Sequence, residues 1–269
     1  MPTPAAPEED PAFEYCRFER DGPIVTITLD RPEVLNALHP KAHHELARAF
    51  DRYNADPDLR VAIVTGSGDR AFCVGTDLKA LAATGRDDKP STGFAGITRR
   101  FDLWKPVIAA VNGLCLGGGV EIVAACDLAI ADERAEFGLS EPLVGLAALG
   151  GGALQRLARD LPMKDAMWLV LTAKRIPAAE AKRISLINEV VPQGQALARA
   201  MALANDLLLC APLALQASKQ VMLESLKERD MADAMSRRYP AAERMLASDD
   251  AREGPLAFAQ KRKPRWTGR

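Results

Sequence analysis

At 269 residues, 48% of them hydrophobic, the chain is long enough to bury a sizeable core as one large domain or two small ones. Its 35 basic and 36 acidic residues nearly cancel to a net charge of −1, so no overall field draws it to nucleic acid or to an anionic membrane. No apolar run reaches the ~18 residues that a membrane span needs, and the chain reads as a cytoplasmic enzyme or binding protein.

The N-terminal stretch MPTPAAPEEDPAFEY is rich in Pro and acidic residues and lacks the basic and apolar regions of a signal peptide, so residues 1–12 read as a disordered tail. In CRFERDGPIVTITLDRP, β-branched alternation from Ile24 to Leu29 and the turn pair Asp21-Gly22 predict a hairpin. The next segment, PKAHHELARAFDRYNAD, has Ala42, Leu46, Ala49, Phe50 and Tyr53 at helical spacing between Pro40 and Pro57. LRVAIVTG is a buried strand stopped by Gly66. Beyond it Gly75-Thr76-Asp77 precedes a helix-like LKALAA, which Thr76 or Asp77 can cap. AATGRDDKPSTGFAG mixes Gly, Pro, Ser and charges as a mobile surface loop does, in a place where it would cover a site.

KPVIAAVNG gives another apolar strand, a helix opens at the glycines after it, and DLAIAD is a further short strand. Repeated strand and helix units imply an α/β layer protein. From Gly150 the character changes: GGALQRLARDLP, MKDAMWLVLTAKR and PAAEAKRISL are helix-like, INEVV is one last strand, and the remainder is almost wholly helical. The five cysteines, Cys16, Cys73, Cys115, Cys126 and Cys210, are odd in number, widely spaced and mostly flanked by apolar residues. They read as buried thiols of a reducing compartment and not as metal ligands or nucleophiles.

Chemistry concentrates in NGLCLGGGVEIVAACDLAIA. Its glycines end in no Gly-Lys-Ser/Thr and form no G-x-G-x-x-G, which argues against a nucleotide phosphate cradle. Two readings stay open: close packing of a helix on a strand, or unpaired N–H groups at a helix N-terminus that bind an oxyanion. With a helix starting near Gly117, Gly118 and Glu121 share one face, although Glu121 alone also suits the helix dipole. A second carboxylate, Glu141, stands in the Gly-rich and otherwise apolar AEFGLSEPLVGLAALGGG, either as a local cap or as a functional group with a raised pKa.

Taken in order, LDRPEVLNAL, VTGSGDRAFCVGTDLK, KPVIAAVNGLCLGGGVEIVAACDLAIA, FGLSEPLVGL, GGALQRL and EGPLAFAQKRKPRW resemble the crotonase superfamily, the enoyl-CoA hydratases and isomerases, from about Phe13 to Trp266. The resemblance implies an α/β fold, a crotonase-like spiral of repeated ββα units with a helical C-terminal region. Residues 13–200 would then form the spiral core with a CoA-thioester site, and residues 201–269 the helical region that makes a homotrimer or homohexamer. The implied substrate is an acyl-CoA thioester, with coenzyme A as part of the substrate and no separate cofactor or metal.

By motif position the resemblance makes the N–H groups of Thr76 and Gly118 the donors to the thioester oxygen. It makes Glu141 the acid that supplies the α-proton and Glu121 the base that deprotonates water. The CoA moiety would lie on Asn36, Ala37 and Leu38 and on Thr76, Asp77, Leu78 and Lys79, with Lys79 and the basic residues of KRKPR available to phosphates. Retention of both glutamates favours reversible hydration of a trans-2-enoyl-CoA to a 3-hydroxyacyl-CoA. The alternatives are an enoyl-CoA isomerase, a carnitinyl-CoA-type dehydratase and a non-catalytic acyl-CoA-binding or RNA-associated relative. Thr76 in place of the more familiar Ala, and Leu139-Ser140 in place of Gln-Pro, would reshape the acyl pocket without removing a catalytic atom.

Overall fold

The structure is a computed structural model that describes residues 12–85 and 88–269. Residues 1–11 of the tail reading, and Arg86 and Asp87 of the loop reading, lie outside the described residues. The expected hairpin is present as β1 (Cys16–Asp21) and antiparallel β2 (Ile24–Leu29). Pro40 starts α1 (Pro40–Ala55) as its first helical residue, where a missing N–H costs nothing, and the His39 side chain caps it by accepting from the Ala42 N–H.

Three similar turns follow, each with a strand, a second short strand and a helix or helical turn. The first is β3 (Val61–Gly66), β4 (Ala71–Cys73) and α2 (Leu78–Thr84). The second is β5 (Val107–Val111), β6 (Leu114–Leu116) and α3 (Gly118–Ala125). The third is β7 (Leu128–Asp132), β8 (Glu136–Gly138) and a single 3-10 turn at Glu141–Val144.

Each turn gives one strand to each of two sheets. The larger runs β1-β2-β3-β5-β7-β10, with β10 at Glu189–Val191, and is parallel from β2 onward; in the smaller, β4-β6-β8 are parallel and β9 (Ile176–Pro177) is antiparallel at the edge. This is the repeated ββα spiral. Its later part holds α4 (Ala153–Asp160), α5 (Met163–Thr172), β9 (Ile176–Pro177), α6 (Ala178–Arg183) and β10 (Glu189–Val191). Then come α7 (Ala196–Leu207), α8 (Pro212–Ser225), α9 (Met231–Ser236), α10 (Pro240–Leu246) and α11 (Asp250–Ala259). The division at 200/201 falls within α7.

β2, β3 and β5 are buried at every position because the sheet is covered on both faces. Alternate residues separate into two cores. Ala62, Val64 and Ala109 face the side of α1, with Leu46, Phe50 and Tyr53. Val61, Ile63 and Ile108 face α7, whose Ala196, Ala200 and Ala204 recur every fourth residue and let the helix lie close on the sheet. Among the described residues no single helix is long and apolar enough to cross a membrane.

Two expectations need correction. The segment 93–98 is buried, not a surface loop: Phe94, Ala95 and Ile97 are all in the main core, and the Ala95 N–H donates to His43 Nδ1 at 3.0 Å. Its aromatic and apolar residues outweigh the polar composition of the stretch around them. Of the cysteines, Cys16, Cys73 and Cys115 are buried, but Cys126 is half-buried and Cys210 is exposed in the connection between α7 and α8.

Candidate active site

Because β4, β6 and β8 lie side by side and parallel, the residues that follow their C-terminal ends are brought together. Those residues are Gly75-Thr76 after β4, Gly117-Gly118 after β6 and Ser140-Glu141 after β8. Three segments far apart in sequence therefore meet at one end of one small sheet, the end at which parallel sheets present ligand sites.

Gly117 takes φ +53 as the cap residue of α3, and Gly75 takes φ +93. Both conformations are costly for residues with a Cβ. The approach they permit is close: a Cβ on Gly75 would stand 2.9 Å from the Gly118 nitrogen, and one on Gly117 would stand 3.0 Å from Glu141 Oε1. Gly118 is the first residue of α3, and no acceptor for its N–H exists among the described residues. Its Cα is walled by the Phe94 ring, which occupies the space a side chain would need.

Thr76 is bridged to Leu38, with Leu38 N–H donating to Gly75 O at 2.8 Å and Asp77 N–H to Leu38 O at 2.9 Å. In such parallel pairing Thr76's own peptide groups face away from Leu38.

The Glu121 side chain is buried on the inner face of α3, and its Oε1 accepts from the N–H groups of Gly151 (2.7 Å) and Ala153 (3.5 Å). Burial raises its pKa; those two donors and the cations Lys89 and Arg156 pull the other way without cancelling the rise. Glu141 opens its 3-10 turn, and its Oε2 is buried with no hydrogen-bond partner among the described residues. Burial raises its pKa too, its own N–H opposes this, and the charge of Glu121 adds to the rise. The sequence left Glu141 as a cap or a functional carboxyl; an unpartnered buried oxygen fits the second. A carboxyl raised by the charge of a second one, beside a helix N–H with no acceptor among the described residues, is an arrangement that can hold a water, pass protons and stabilise an oxyanion.

The residues named for CoA also come together. Asp77 caps α2 by accepting from Ala80 N–H (3.1 Å) and pairs with Arg31 Nη1 (3.0 Å), while the same Nη1 donates to Ala37 O (2.6 Å). Asn36 is fully buried with its amide committed: Nδ2 donates to Ser67 O and Ala71 O, and Oδ1 accepts from Arg31 N–H and Ser67 Oγ. It therefore shapes the 36–38 loop from within. Leu38 is likewise buried, whereas Leu78 and Lys79 are exposed at the start of α2. In the C-terminal KRKPR, Arg262 is engaged by Glu253. Lys89, Phe94 and Arg156, all beside the glutamates or the donor, carried no signal in the sequence.

A family model described as enoyl-CoA hydratase/isomerase matches residues 19–269. The chain belongs to the enoyl-CoA hydratase/isomerase family. Among similar members, a carnitinyl-CoA dehydratase of Salmonella arizonae is 44% identical over 264 residues, covering 95% of this chain and 99% of that protein. One of Proteus mirabilis is 43% identical over 256 residues, covering 92% and 96%. The crystal structure of an enoyl-CoA hydratase from Mycobacterium tuberculosis H37Rv superposes with a TM-score of 0.89 at 38% identity, covering 95% of this chain and 99% of that one. The fold is thus the crotonase fold of this family, and acyl-CoA thioesters are the family's substrate class.

Proposed function

We propose that the protein is a hydro-lyase that reversibly adds water to a trans-2-enoyl-CoA, giving a 3-hydroxyacyl-CoA. The observation that carries this reading is the pairing of Glu121 and Glu141 around Gly117-Gly118. The thioester oxygen sits between the N–H groups of Thr76 and Gly118 and gains charge as the enolate forms. A preorganised donor of this kind is worth about 3 kcal/mol in a water-poor site. Glu121 takes a proton from water as its oxygen bonds to the β-carbon, and Glu141 delivers a proton to the α-carbon. The roles belong to a coupled pair, and Ala37, Leu38, Asp77, Leu78 and Lys79 serve the CoA moiety.

The test is Glu141→Gln. Hydration of crotonyl-CoA should fall about 10²- to 10⁴-fold, the range for loss of one acid–base group, while the thioester Kd changes little. Full hydration by the variant would overturn the assignment. An isomerase needs one proton shuttle and no positioned water, so turnover of 3-enoyl-CoA surviving Glu121→Ala would favour it instead.

A second reading, dehydration of a carnitinyl-CoA ester, is favoured by the 42–44% identity to proteins of that name. It uses the same two carboxyls in reverse. The apolar exposed residues of the C-terminal helices support assembly as a homotrimer or homohexamer.

A further inference from the structure

Glu121 owes its setting to a residue with no side chain. Gly151 donates its N–H to Glu121 Oε1 at 2.7 Å, and a Cβ on Gly151 would stand 2.7 Å from Glu121 Oε2. Glycine fits this close to the carboxyl, but Gly150-Gly151-Gly152 is also a stretch of backbone free to turn away from it. Arg156, half-buried on α4, holds it in place: its Nη1 donates to Gly151 O at 2.9 Å. Gly151 is thereby fastened at both its polar groups, to the carboxyl through its N–H and to the guanidinium through its carbonyl.

The other arm of the same guanidinium reaches a different segment, with Nη2 donating to Thr98 O at 2.7 Å. Thr98 closes the buried turn that carries Phe94, its N–H donating to Phe94 O at 3.3 Å, and the Phe94 ring walls Gly118. His43 and Arg100 fasten that turn to α1, His43 through Ala95 N–H and Arg100 through Gly96 O and Ala47 O. Arg156 fastens it to α4. One planar, permanently charged fork thus joins the backbone donor of Glu121 to the wall of Gly118, a geometry that suits arginine and not lysine.

We propose that Arg156 is a positioning residue: it sets the backbone at Gly151 that orients Glu121, and locks it in register with the Phe94 turn. For the part Glu121 plays in turnover, the proposal rests on the hydro-lyase reading. The ionisable groups that act on Glu121 or feel its charge are Lys89 from the segment before Phe94, Arg156 from α4, Glu141 from its 3-10 turn and Cys73 from β4. Arg156 in turn feels Asp160, Glu121 and Cys126. Both Arg156 and the Gly151 N–H favour the charged form of Glu121. Losing either acts in one direction: Glu121 keeps its proton to higher pH.

The experiment follows crotonyl-CoA hydration against pH in the full chain, in Arg156→Met and in Arg156→Lys. In Arg156→Met, kcat should fall about 10²-fold, the cost of a reacting group displaced by about 1 Å. The limb on which kcat/KM rises with pH should move up by about 1 pH unit. Arg156→Lys keeps the charge, but its single ammonium cannot bridge both carbonyls, so kcat should stay low while the limb returns most of the way. The Kd of butyryl-CoA should change little in either variant. In a Glu121→Gln background, Arg156→Met should cost little more, because the carboxylate it positions is already gone. Full kcat in Arg156→Lys overturns the proposal, as does an undiminished loss in the Glu121→Gln background, or a Kd that weakens in step with kcat. The Glu121 carboxyl is titrated in parallel by infrared spectroscopy, its band identified by its absence in Glu121→Gln. Its pKa should rise in Arg156→Met, and an unmoved pKa there also overturns the proposal. Arg156→Gln, which removes the charge and the fork, replaces Arg156→Met if that variant does not fold. If the parent hydrates no enoyl-CoA, the hydro-lyase reading fails, and the infrared titration alone decides for or against Arg156.

Discussion

Glu141 has a feature that a purely structural carboxylate would lack: Oε2 is buried and no group among the described residues donates to it. Its pKa is held above the ordinary carboxylate value by burial, with its own N–H opposing and Glu121 adding. In the unfolded chain it ionises near its ordinary value of about 4.3. Above that value folding must therefore either take up a proton or bury a charge, and the protein is less stable for it. Below it the penalty vanishes.

Glu141→Gln should accordingly raise Tm at pH 7.5, at fixed protein concentration, and the gain should fade toward pH 4. Equal Tm values for parent and variant at pH 7.5 would show that the carboxyl carries no such cost. An activity-dead but stabilised variant is the pattern expected of a functional residue. Glu121, Glu141 and Gly118 were legible in the sequence because each stands in a short stretch whose composition is otherwise Gly and apolar. Phe94 was not, since its place against Gly118 arises from a chain path that buries residues 93–98, and composition alone describes that stretch as loop.

At the level of elements, the long strands β3, β5 and β7 announce themselves by apolar runs, and α1 by its period and flanking prolines. The short strands β4, β6 and β8 do not. Three residues give no period, and AFC, LCL and EFG become strands only by pairing with one another across the spiral. The site assembles at the ends of these strands, so its parts were readable singly from composition and spacing, and their meeting was expected only through the family resemblance.

Two substitutions probe that assembly. Asp77→Ala removes the cap of α2 and the partner of Arg31, both of which hold the 36–38 loop beside Thr76. It should cost about 1 kcal/mol of stability and raise KM for the CoA ester. Asp77→Asn should restore most of the cap, and if its Tm matches that of Asp77→Ala, the cap is not what Asp77 contributes. Gly75→Ala places a methyl against the Gly118 nitrogen at a φ of +93. The expected result is a loss of about 10²-fold in kcat, larger than any change in Kd for a saturated acyl-CoA; an equal loss in both would point to general distortion.

Across the whole molecule, the helical C-terminal region leaves a surface that one chain does not cover. Met222, Leu223 and Leu226 of α8 and its end, and Met231 and Met235 of α9, are all at least 50% exposed. Apolar surface gathered this way marks an interface more often than free surface, and a closed symmetric ring of copies buries it without leaving a growing edge. The arm bearing it is anchored to the spiral by defined contacts: Lys219 pairs with Asp127 at 2.8 Å, and Arg60 donates to Trp266 O at 3.0 Å. Sedimentation should therefore give three or six times the 29.0 kDa of the chain. The double variant Leu226→Glu, Met235→Glu should dissociate to the single-chain mass and lose Tm, with an unchanged far-ultraviolet circular dichroism spectrum to show that the spiral persists. An unaltered oligomer mass in that variant would place the assembly interface elsewhere on the molecule, and a parent that sediments as one chain would remove the assembly proposal altogether.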